Sequence, residues 1–304
     1  MANLSVNIAG VTLKNPVITA SGCFGFGREY EGFYDISRLG GISLKGMTAK
    51  KRLGNPPPRI AETPAGMLNS VGLQNPGVDA FLRDDLPYLK TKDTVLIANI
   101  AGSTVEDYCE IASRLADSEV DLLELNISCP NVKEGGVAFG VSCEGAAGVV
   151  RAVKRHARQP LLVKLSPNVT DIVSIAKAVE SEGANGISLI NTLLGMRIDI
   201  ERRRPVLYNN VGGLSGPAVF PVAVRMVWQV ANAVKVPVVG MGGIASAKDA
   251  IEMMMAGASA VQVGAAMFSD PMAPVKIIEG MESWLSGHGI ADVGEIVGTV
   301  QPWS

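Results

Sequence analysis

Five polar side chains stand at or near the ends of short apolar runs in this sequence. Lys45 ends ISLK, Asn99 lies in LIANI, Asn126 in LELNIS, Lys164 in LLVKLS, and Asn191 ends ISLIN. A Lys or Asn buried in a strand is costly unless it is paired. The set could be a polar plug with a structural role only, but residues gathered from five runs indicate an active site.

The five residues are amides and lysines, and we expect no carboxylate at the equivalent positions of the apolar runs. An Asn side chain both donates and accepts hydrogen bonds. It therefore suits a ligand with alternating C=O and N–H groups, such as a pyrimidine ring. The lysines suit an anion or a negatively charged reduced cofactor.

Cys129 directly follows one of these runs, in NISCPNVKEGGVAFG (126–140). A structural cysteine in the core is the common case. A loop cysteine flanked by Gly and polar residues can instead act as a base or a nucleophile. Cys23, Cys109 and Cys143 lack such a setting, so Cys129 is the candidate catalytic residue.

Three glycine-rich turns could approach a phosphate: VVGMGGIAS (238–246), VQVGAAMFSD (261–270) and GGLSGP (212–217). Small residues there let backbone N–H groups reach an anion, although Gly also ends strands for structural reasons. No GxGxxG opens a strand–helix unit, so a Rossmann NAD site is not indicated.

Short apolar runs recur along the chain and predict strands buried on both faces, as in a parallel sheet. The eight runs are Pro16–Ser21, Gly41–Lys45, Val95–Ile100, Leu122–Ile127, Leu161–Leu165, Gly186–Asn191, Val236–Val239 and Ala260–Val263. Helical patterns lie between them, for example Asp171–Glu182 and Ala247–Ala256. Ser246 with Asp249 resembles a capping box before the second of these helices.

The alternation of strands and helices predicts an α/β fold, a single (β/α)8 TIM barrel over residues 1–304. A doubly wound open sheet is the alternative, and the count of eight favours the barrel. Leu4–Leu13, with a turn at Gly10, predicts a β-hairpin at the barrel bottom. Long connections at about 46–94, 128–144 and 192–220 should stand on the catalytic face.

Composition narrows the function classes. The chain is 47% hydrophobic and 18% charged, with a net charge of −2. This charge gives no case for nucleic acid or an anionic membrane as partner. No apolar stretch could span a membrane, and the first residues lack a signal-peptide pattern, so we expect a cytoplasmic protein. With two histidines in the chain, we expect no metal site.

The motifs NISCPN, SLKGMT, MLNSVGLQNPG, LLVKLSPN, LINTLLGMRID and the paired GMGGI and VQVGAAMF turns resemble the dihydroorotate dehydrogenases, in order and along essentially the whole chain. The Cys in SCPN resembles the soluble class 1 enzymes, whereas the membrane-associated class 2 enzymes carry Ser there. INTLLGMRID resembles the NAD-linked subclass, type 1B, more than the fumarate-linked type 1A.

The resemblance implies one FMN per barrel. The cofactor would be held by Ser21, Lys45, Gly46, Asn99, Asn126, Lys164, Ile190, Gly216, Gly242, Gly243, Gly264 and Ala265. The family often has Thr at the position of Gly46 and a hydroxyl residue at that of Ala265, but backbone contacts do not need those side chains. Orotate would be held by Lys45, Asn69, Ser70, Val71, Gly72, Leu73, Asn126, Asn131, Asn191 and Thr192.

The resemblance also implies a mechanism in pyrimidine biosynthesis. Cys129, as thiolate, would remove a proton from C5 of (S)-dihydroorotate while C6 delivers hydride to flavin N5, giving orotate. A free thiol has a pKa of about 8.5, so activity should rise toward alkaline pH unless the site lowers that value. Lys164 would lie near the flavin N1–C2 carbonyl edge, where the reduced flavin gathers negative charge.

In type 1B enzymes the electrons leave for NAD through a second subunit that carries FAD and an iron–sulfur (2Fe-2S) cluster. This chain has neither a four-Cys cluster motif nor a nucleotide fingerprint. The resemblance therefore implies such a partner, with a homodimer of this chain inside a heterotetramer.

Two kinds of rival remain open. One is another FMN barrel reductase, of the dihydropyrimidine or dihydrouridine type, the latter acting on tRNA. The other is a non-redox phosphate-binding barrel, an isomerase or an aldolase-type lyase that uses Lys164. The run Arg202–Arg204 is expected to be a solvated basic segment.

Overall fold

The apolar runs of the sequence form one closed parallel barrel in the computed structural model, which describes residues 2–128 and 139–303. We number the barrel strands β1 to β8 in chain order. They are Val17–Thr19, Gly41–Ser43, Val95–Ile100, Leu122–Asn126, Leu161–Lys164, Gly186–Leu189, Val238–Met241 and Ala260–Val263. Each strand pairs in parallel with the next, and β8 closes onto β1 with Gln262 opposite Ile18. The predicted (β/α)8 barrel is confirmed.

Helices surround the barrel, and several of them begin at a polar cap. The α-helices of eight or more residues are Val105–Leu115, Cys143–Lys154, Ile172–Ser181, Phe220–Ala231, Ala247–Met255 and Ala273–Gly287. Asp171 caps one of them by accepting from the backbone N–H groups of Val173 and Ser174. Ser246 and Asp249 form the predicted capping box. Each cap satisfies backbone donors that a helix start leaves open.

Shorter helical segments complete the connections. The segment 78–89 contains the α-helical turns Val78–Ala80 and Leu86–Leu89 around a π-helical turn, Phe81–Asp85, and Ala266–Ser269 is a further short α-helix. The 3-10 turns are Tyr30–Gly32, Ile36–Arg38, Phe139–Val141, Pro217–Val219 and Val293–Ile296. In the described ranges, no helix is long and apolar enough to cross a membrane.

The N-terminal hairpin closes the bottom of the barrel, as predicted. Its strands, Val6–Ile8 and Val11–Leu13, pair antiparallel. Ile8 and Leu13 are fully buried and pack against an apolar layer inside the barrel. That layer includes one side chain from each odd-numbered strand: Ile18, Ile97, Leu162 and Val239. The amino ends of the strands are therefore sealed, and the other end carries the open site.

Two of the three long connections fold into a second sheet. Its strand order is Leu193–Gly195, Gly212–Ser215, Gly66–Asn69 and Ile60–Thr63, all antiparallel. A small hairpin, Ile198–Asp199 with Arg204–Pro205, follows the first of these strands. The sequence pattern predicts long loops for both connections and does not indicate these strands. The third connection, 128–144, lies largely outside the described residues.

Candidate active site

A cavity opens at the carboxyl ends of the barrel strands, and all five polar residues singled out from the sequence line it: Lys45, Asn99, Asn126, Lys164 and Asn191. They come from five strands that are separated in sequence and converge because parallel strands end at one face of the barrel. The five polar residues therefore meet in one place.

Most of the other predicted binding residues line the same cavity. They are Ser21, Gly46, Asn69, Val71, Gly72, Leu73, Ile190, Thr192, Gly216, Gly242, Gly243, Gly264 and Ala265. Ser70 does not: it is fully buried beside the cavity, and its Oγ has no hydrogen-bond partner among the described residues. Cys129 and Asn131 lie outside the described residues.

A layer of four side chains, one from each even-numbered strand, fills the barrel beneath the cavity: Ser43, Glu124, Ser188 and Gln262. The carboxylate of Glu124 is at its centre. It accepts hydrogen bonds of 2.9 Å from Ser43 Oγ, 2.8 Å from Ser188 Oγ and 2.8 Å from Gln262 Nε2. Glu124 does not end an apolar run, so the sequence-based search of the run ends did not include it.

Lys164 joins this layer to the cavity. Its Nζ lies 3.9 Å from Glu124 Oε2 and donates a hydrogen bond of 3.2 Å to Ser21 Oγ. Burial raises the pKa of the Glu124 carboxyl, but the charge of Lys164 and three side-chain hydrogen bonds lower it. The net pKa lies below the ordinary value of 4.5, so Glu124 is ionised and the pair is a buried ion pair.

The amides form a continuous hydrogen-bonded line across the cavity. Asn99 Nδ2 donates to Glu124 Oε2 at 2.6 Å, and Asn126 Nδ2 lies 3.4 Å from Asn99 Oδ1. Ser128 Oγ donates to Asn126 Oδ1 at 3.0 Å, and Asn191 Nδ2 donates to Ser128 Oγ at 2.7 Å. These bonds fix the directions of the donors and acceptors in the site.

Glycines shape the side of the cavity above β7 and β8. Gly216, Gly242 and Gly243 have φ values of 101°, 123° and 80°, which disfavour any residue with a Cβ. A Cβ built on Gly243 would lie 2.8 Å from the carbonyl oxygen of Gly216 and 2.7 Å from Phe220 Cβ. The close approach of two glycine-rich turns forms a backbone surface of the kind that binds phosphate.

The segment 69–73 is held over the cavity by its neighbours. Asn55 Nδ2 donates to the carbonyl oxygen of Ser70 at 2.9 Å, and Asn75 Nδ2 donates to that of Leu73 at 2.7 Å. Gly72 has a φ of 77°, and a Cβ there would lie 2.5 Å from the side chain of Asn55. The glycine is required because the segment turns sharply against its support.

Cys23 also lines the cavity, contrary to the sequence-based view that it lacks a functional setting. Burial raises the pKa of its thiol, although Lys164 and Lys45 oppose the rise. The thiol is therefore protonated at neutral pH. Gly264 lies nearby, since a Cβ built on it would be 3.5 Å from Cys23 Sγ.

Two of the overlooked residues carried a sequence signal. Glu124 precedes Asn126 by two residues, and Gln262 follows Ala260 by two in VQV, so strand alternation places both inside the barrel. Cys23 had no such signal, because it follows the end of β1 in an irregular segment. Its position depends on how that segment folds over β8.

Comparison with known proteins identifies the family. The model described as Dihydroorotate dehydrogenase matches residues 3–285 of this chain. The chain is 60% identical to the "Dihydroorotate dehydrogenase B (NAD(+)), catalytic subunit" of Alkaliphilus oremlandii, with 97% of this chain and 98% of the relative covered. It is 59% identical to the protein of that name from Alkaliphilus metalliredigens, covering 98% and 99%. It is 56% identical to the protein of that name from Bacteroides thetaiotaomicron, with 99% of this chain and 100% of the relative covered.

Both the matched length and the identities agree with the motifs and the cavity described above, and this chain belongs to the dihydroorotate dehydrogenase family.

Proposed function

We propose that this chain is the catalytic subunit of an NAD-linked dihydroorotate dehydrogenase, which oxidises (S)-dihydroorotate to orotate with FMN as its cofactor. The observation that carries the proposal is the cavity itself. It places five amides and two lysines at the mouth of a barrel whose relatives bear this enzyme's name.

The residues of the cavity fit FMN. A phosphate needs backbone N–H groups that can be approached closely, and the turns at Gly216 and Gly242–Gly243 offer them. A flavin ring also needs polar partners at its edge. Gln262 Oε1 is buried and has no partner among the described residues, so it is an acceptor available to a bound ring. Lys164 adds a positive charge to the same floor.

The substrate side of the cavity fits a pyrimidine ring with a carboxylate. Asn69, Asn126 and Asn191 supply donors and acceptors for the ring's C=O and N–H groups. Lys45 supplies a cation for an anionic substituent. Dihydrouracil has the same ring without the carboxylate, so its recognition would not use that cation.

The chain's own groups then have distinct tasks in the reaction. FMN, when bound, supplies the two-electron acceptor. Cys129 takes the proton from C5 of dihydroorotate, the amides orient the ring, and Lys45 binds its carboxylate. Lys164 supplies positive charge beside the cofactor as electron density increases there.

The electrons leave through a partner. The relatives are named catalytic subunits of an NAD(+) enzyme, and we assign this chain the same place in its assembly. The partner subunit carries FAD and a 2Fe-2S cluster, and a homodimer of this chain forms the centre of a heterotetramer. We place the assembly in the cytoplasm.

The absorbance spectrum of the purified chain tests the cofactor, and anaerobic addition of dihydroorotate tests the substrate. We expect a yellow protein that releases FMN on denaturation and whose flavin absorbance is bleached by dihydroorotate but not by dihydrouracil. A colourless chain that fails to bind added FMN would exclude the flavin function. Bleaching by dihydrouracil alone would favour the dihydropyrimidine alternative.

A further inference from the structure

We infer that Glu124 is a positioning residue of this site: its carboxylate orients the amides of Asn99 and Gln262 toward the cavity and balances the positive charge of Lys164. The inference rests on the proposed FMN function. It concerns a residue beneath the cavity floor and assigns no direct ligand contact to Glu124.

The contacts of Glu124 fix the direction of two amides. An ionised carboxylate only accepts hydrogen bonds, so each amide must turn its NH2 group toward it. Asn99 Nδ2 and Gln262 Nε2 lie 2.6 Å and 2.8 Å from the carboxylate oxygens. Both side chains line the cavity, and their carbonyl oxygens are therefore the atoms left to face other partners.

The unsatisfied oxygen of Gln262 is the second observation. Gln262 is 1% exposed, and its Oε1 has no hydrogen-bond partner among the described residues. A buried acceptor without a partner destabilises the protein, because it has lost its hydrogen bonds to water. The cost is recovered if a ligand in the cavity donates to this oxygen. The carboxylate thus holds an acceptor in a position that is unfavourable until a donor arrives.

The charge of Glu124 acts on the same floor. Its carboxylate and the Nζ of Lys164 are 3.9 Å apart, with side chains 0% and 5% exposed. Because water screens these two buried groups poorly, the negative charge of the carboxylate offsets much of the positive electrostatic potential that Lys164 creates in the cavity. Without Glu124, the uncompensated lysine would stabilise a bound ligand that gains negative charge, such as FMN on reduction.

Glu124→Gln tests both parts because it removes the charge and retains the shape. We expect the affinity of the apoprotein for oxidised FMN to fall at least tenfold, since the introduced amide can present an NH2 group that forces a neighbouring amide to turn. We also expect the ratio of the affinity for reduced FMN to the affinity for oxidised FMN to rise at least tenfold relative to the wild type. For a two-electron couple that ratio is a rise of about 30 mV in the midpoint potential of the bound flavin.

Ser188→Ala is the matched control. Ser188 donates to the same carboxylate at 2.8 Å from the same buried layer, but its loss changes neither the charge nor an amide. We expect its midpoint potential to equal that of the wild type. A purely structural role for Glu124 predicts lower FMN affinity in both variants and no upward shift in potential. An unchanged or lowered potential in Glu124→Gln would overturn the role of the charge.

Gln262→Leu provides a second test that does not depend on the folding of Glu124→Gln. It removes one oriented amide and leaves the carboxylate in place. We expect FMN binding at least tenfold weaker in a protein that folds normally by circular dichroism, and unchanged affinity would overturn the role of amide orientation. Wild-type protein that binds no FMN would instead refute the proposed function, so the two failures are distinguishable.

Discussion

Asn191 Nδ2 donates a hydrogen bond of 2.7 Å to Ser128 Oγ and so joins the carboxyl end of β6 to the residue that precedes Cys129 in the chain. Asn191 Oδ1 accepts from the backbone N–H of Thr192 at 2.8 Å. One amide therefore ties together two segments on the proposed substrate side of the cavity.

Asn191→Ala should weaken orotate binding with little loss of FMN. Removing a polar partner from a site built for hydrogen bonding costs about 1–3 kcal/mol, or roughly 5- to 150-fold in the dissociation constant. Orotate titration of the holoprotein measures it. Asn185→Ala is the control, because Asn185 precedes the same strand at the opposite end, where its side chain accepts from Leu161 N. It should lower stability and leave orotate affinity intact.

Cys129→Ala should retain bound FMN and lose turnover by about 10²- to 10⁴-fold, the usual contribution of a general base. Cys129→Ser should keep weak activity that increases at high pH, because a hydroxyl is a poorer proton acceptor than a thiol. Steady-state oxidation of dihydroorotate with an artificial dye measures both. Cys109→Ala, on the helix Val105–Leu115, controls for loss of a thiol elsewhere. A colourless or unfolded Cys129→Ala protein would indicate a structural cysteine.

Lys164→Ala should reverse the direction in which the contribution of Glu124 to the stability of the fold changes with pH. In the wild type the pKa of Glu124 is lowered, so its ionised form stabilises the fold at neutral pH and the contribution is lost as pH falls through that pKa. Without Lys164, burial should raise the pKa above the unfolded value, so stability should fall as pH rises. Breaking a buried pair costs about 3–5 kcal/mol at neutral pH.

Melting temperatures of the two apoproteins between about pH 5 and pH 8 give the measurement. The amount by which Lys164→Ala lowers the melting temperature should increase from the acidic to the alkaline end of this range. A constant difference between the two proteins would contradict the prediction. The variant should also bind FMN more weakly and be reduced more slowly by dihydroorotate. Lys154→Ala, on the helix Cys143–Lys154 away from the cavity, is the charge-matched control.

Gly243→Ala should reduce FMN affinity beyond its effect on folding. Its φ of 80° costs an L-residue about 1–2 kcal/mol, and the added Cβ would meet backbone and Phe220 at under 3.0 Å. Gly289→Ala is the comparison, since Gly289 has a φ of 69° but open space around the added Cβ. Equal losses of FMN affinity in both variants would show that Gly243 does not contribute to the phosphate site.

The purified chain should reduce its FMN with dihydroorotate and pass electrons to dyes, but should not reduce NAD at a useful rate alone. The sequence has no nucleotide fingerprint and no cysteines at cluster spacing. Steady-state NADH production with and without a flavin and iron–sulfur partner is the measurement. Robust NADH production by the chain alone would contradict a two-subunit enzyme, and efficient turnover with fumarate would indicate the other soluble subclass.

The barrel and its polar mouth could be predicted because each depends on local pattern. A strand buried on both faces is a continuous apolar run, and a Lys or Asn at its end stands out against it. The sheet formed by 60–69 and 193–215 could not be predicted in the same way. Its strands have three or four residues and include Gly66, Gly195, Gly212 and Gly213, so alternation is too short to detect.

Glu124 was overlooked for a different reason. The predicted site residues stand at the ends of apolar runs, whereas Glu124 lies inside a run, where a charge is unexpected. Its partners explain its presence: Ser43, Ser188 and Gln262 are on three other strands, so their convergence is visible only in three dimensions. A buried charge that is satisfied by distant residues leaves no contiguous motif.

The second sheet has a consequence for the rigidity of the cavity wall. Its central strands, Gly66–Asn69 and Gly212–Ser215, follow β2 and β6, which stand opposite each other in an eight-stranded ring. Their backbone hydrogen bonds join the two connections beside the cavity, which Met67, Asn69, Leu214 and Ser215 line. A movement of one connection away from the other would break these bonds, so this wall of the cavity resists deformation as one unit.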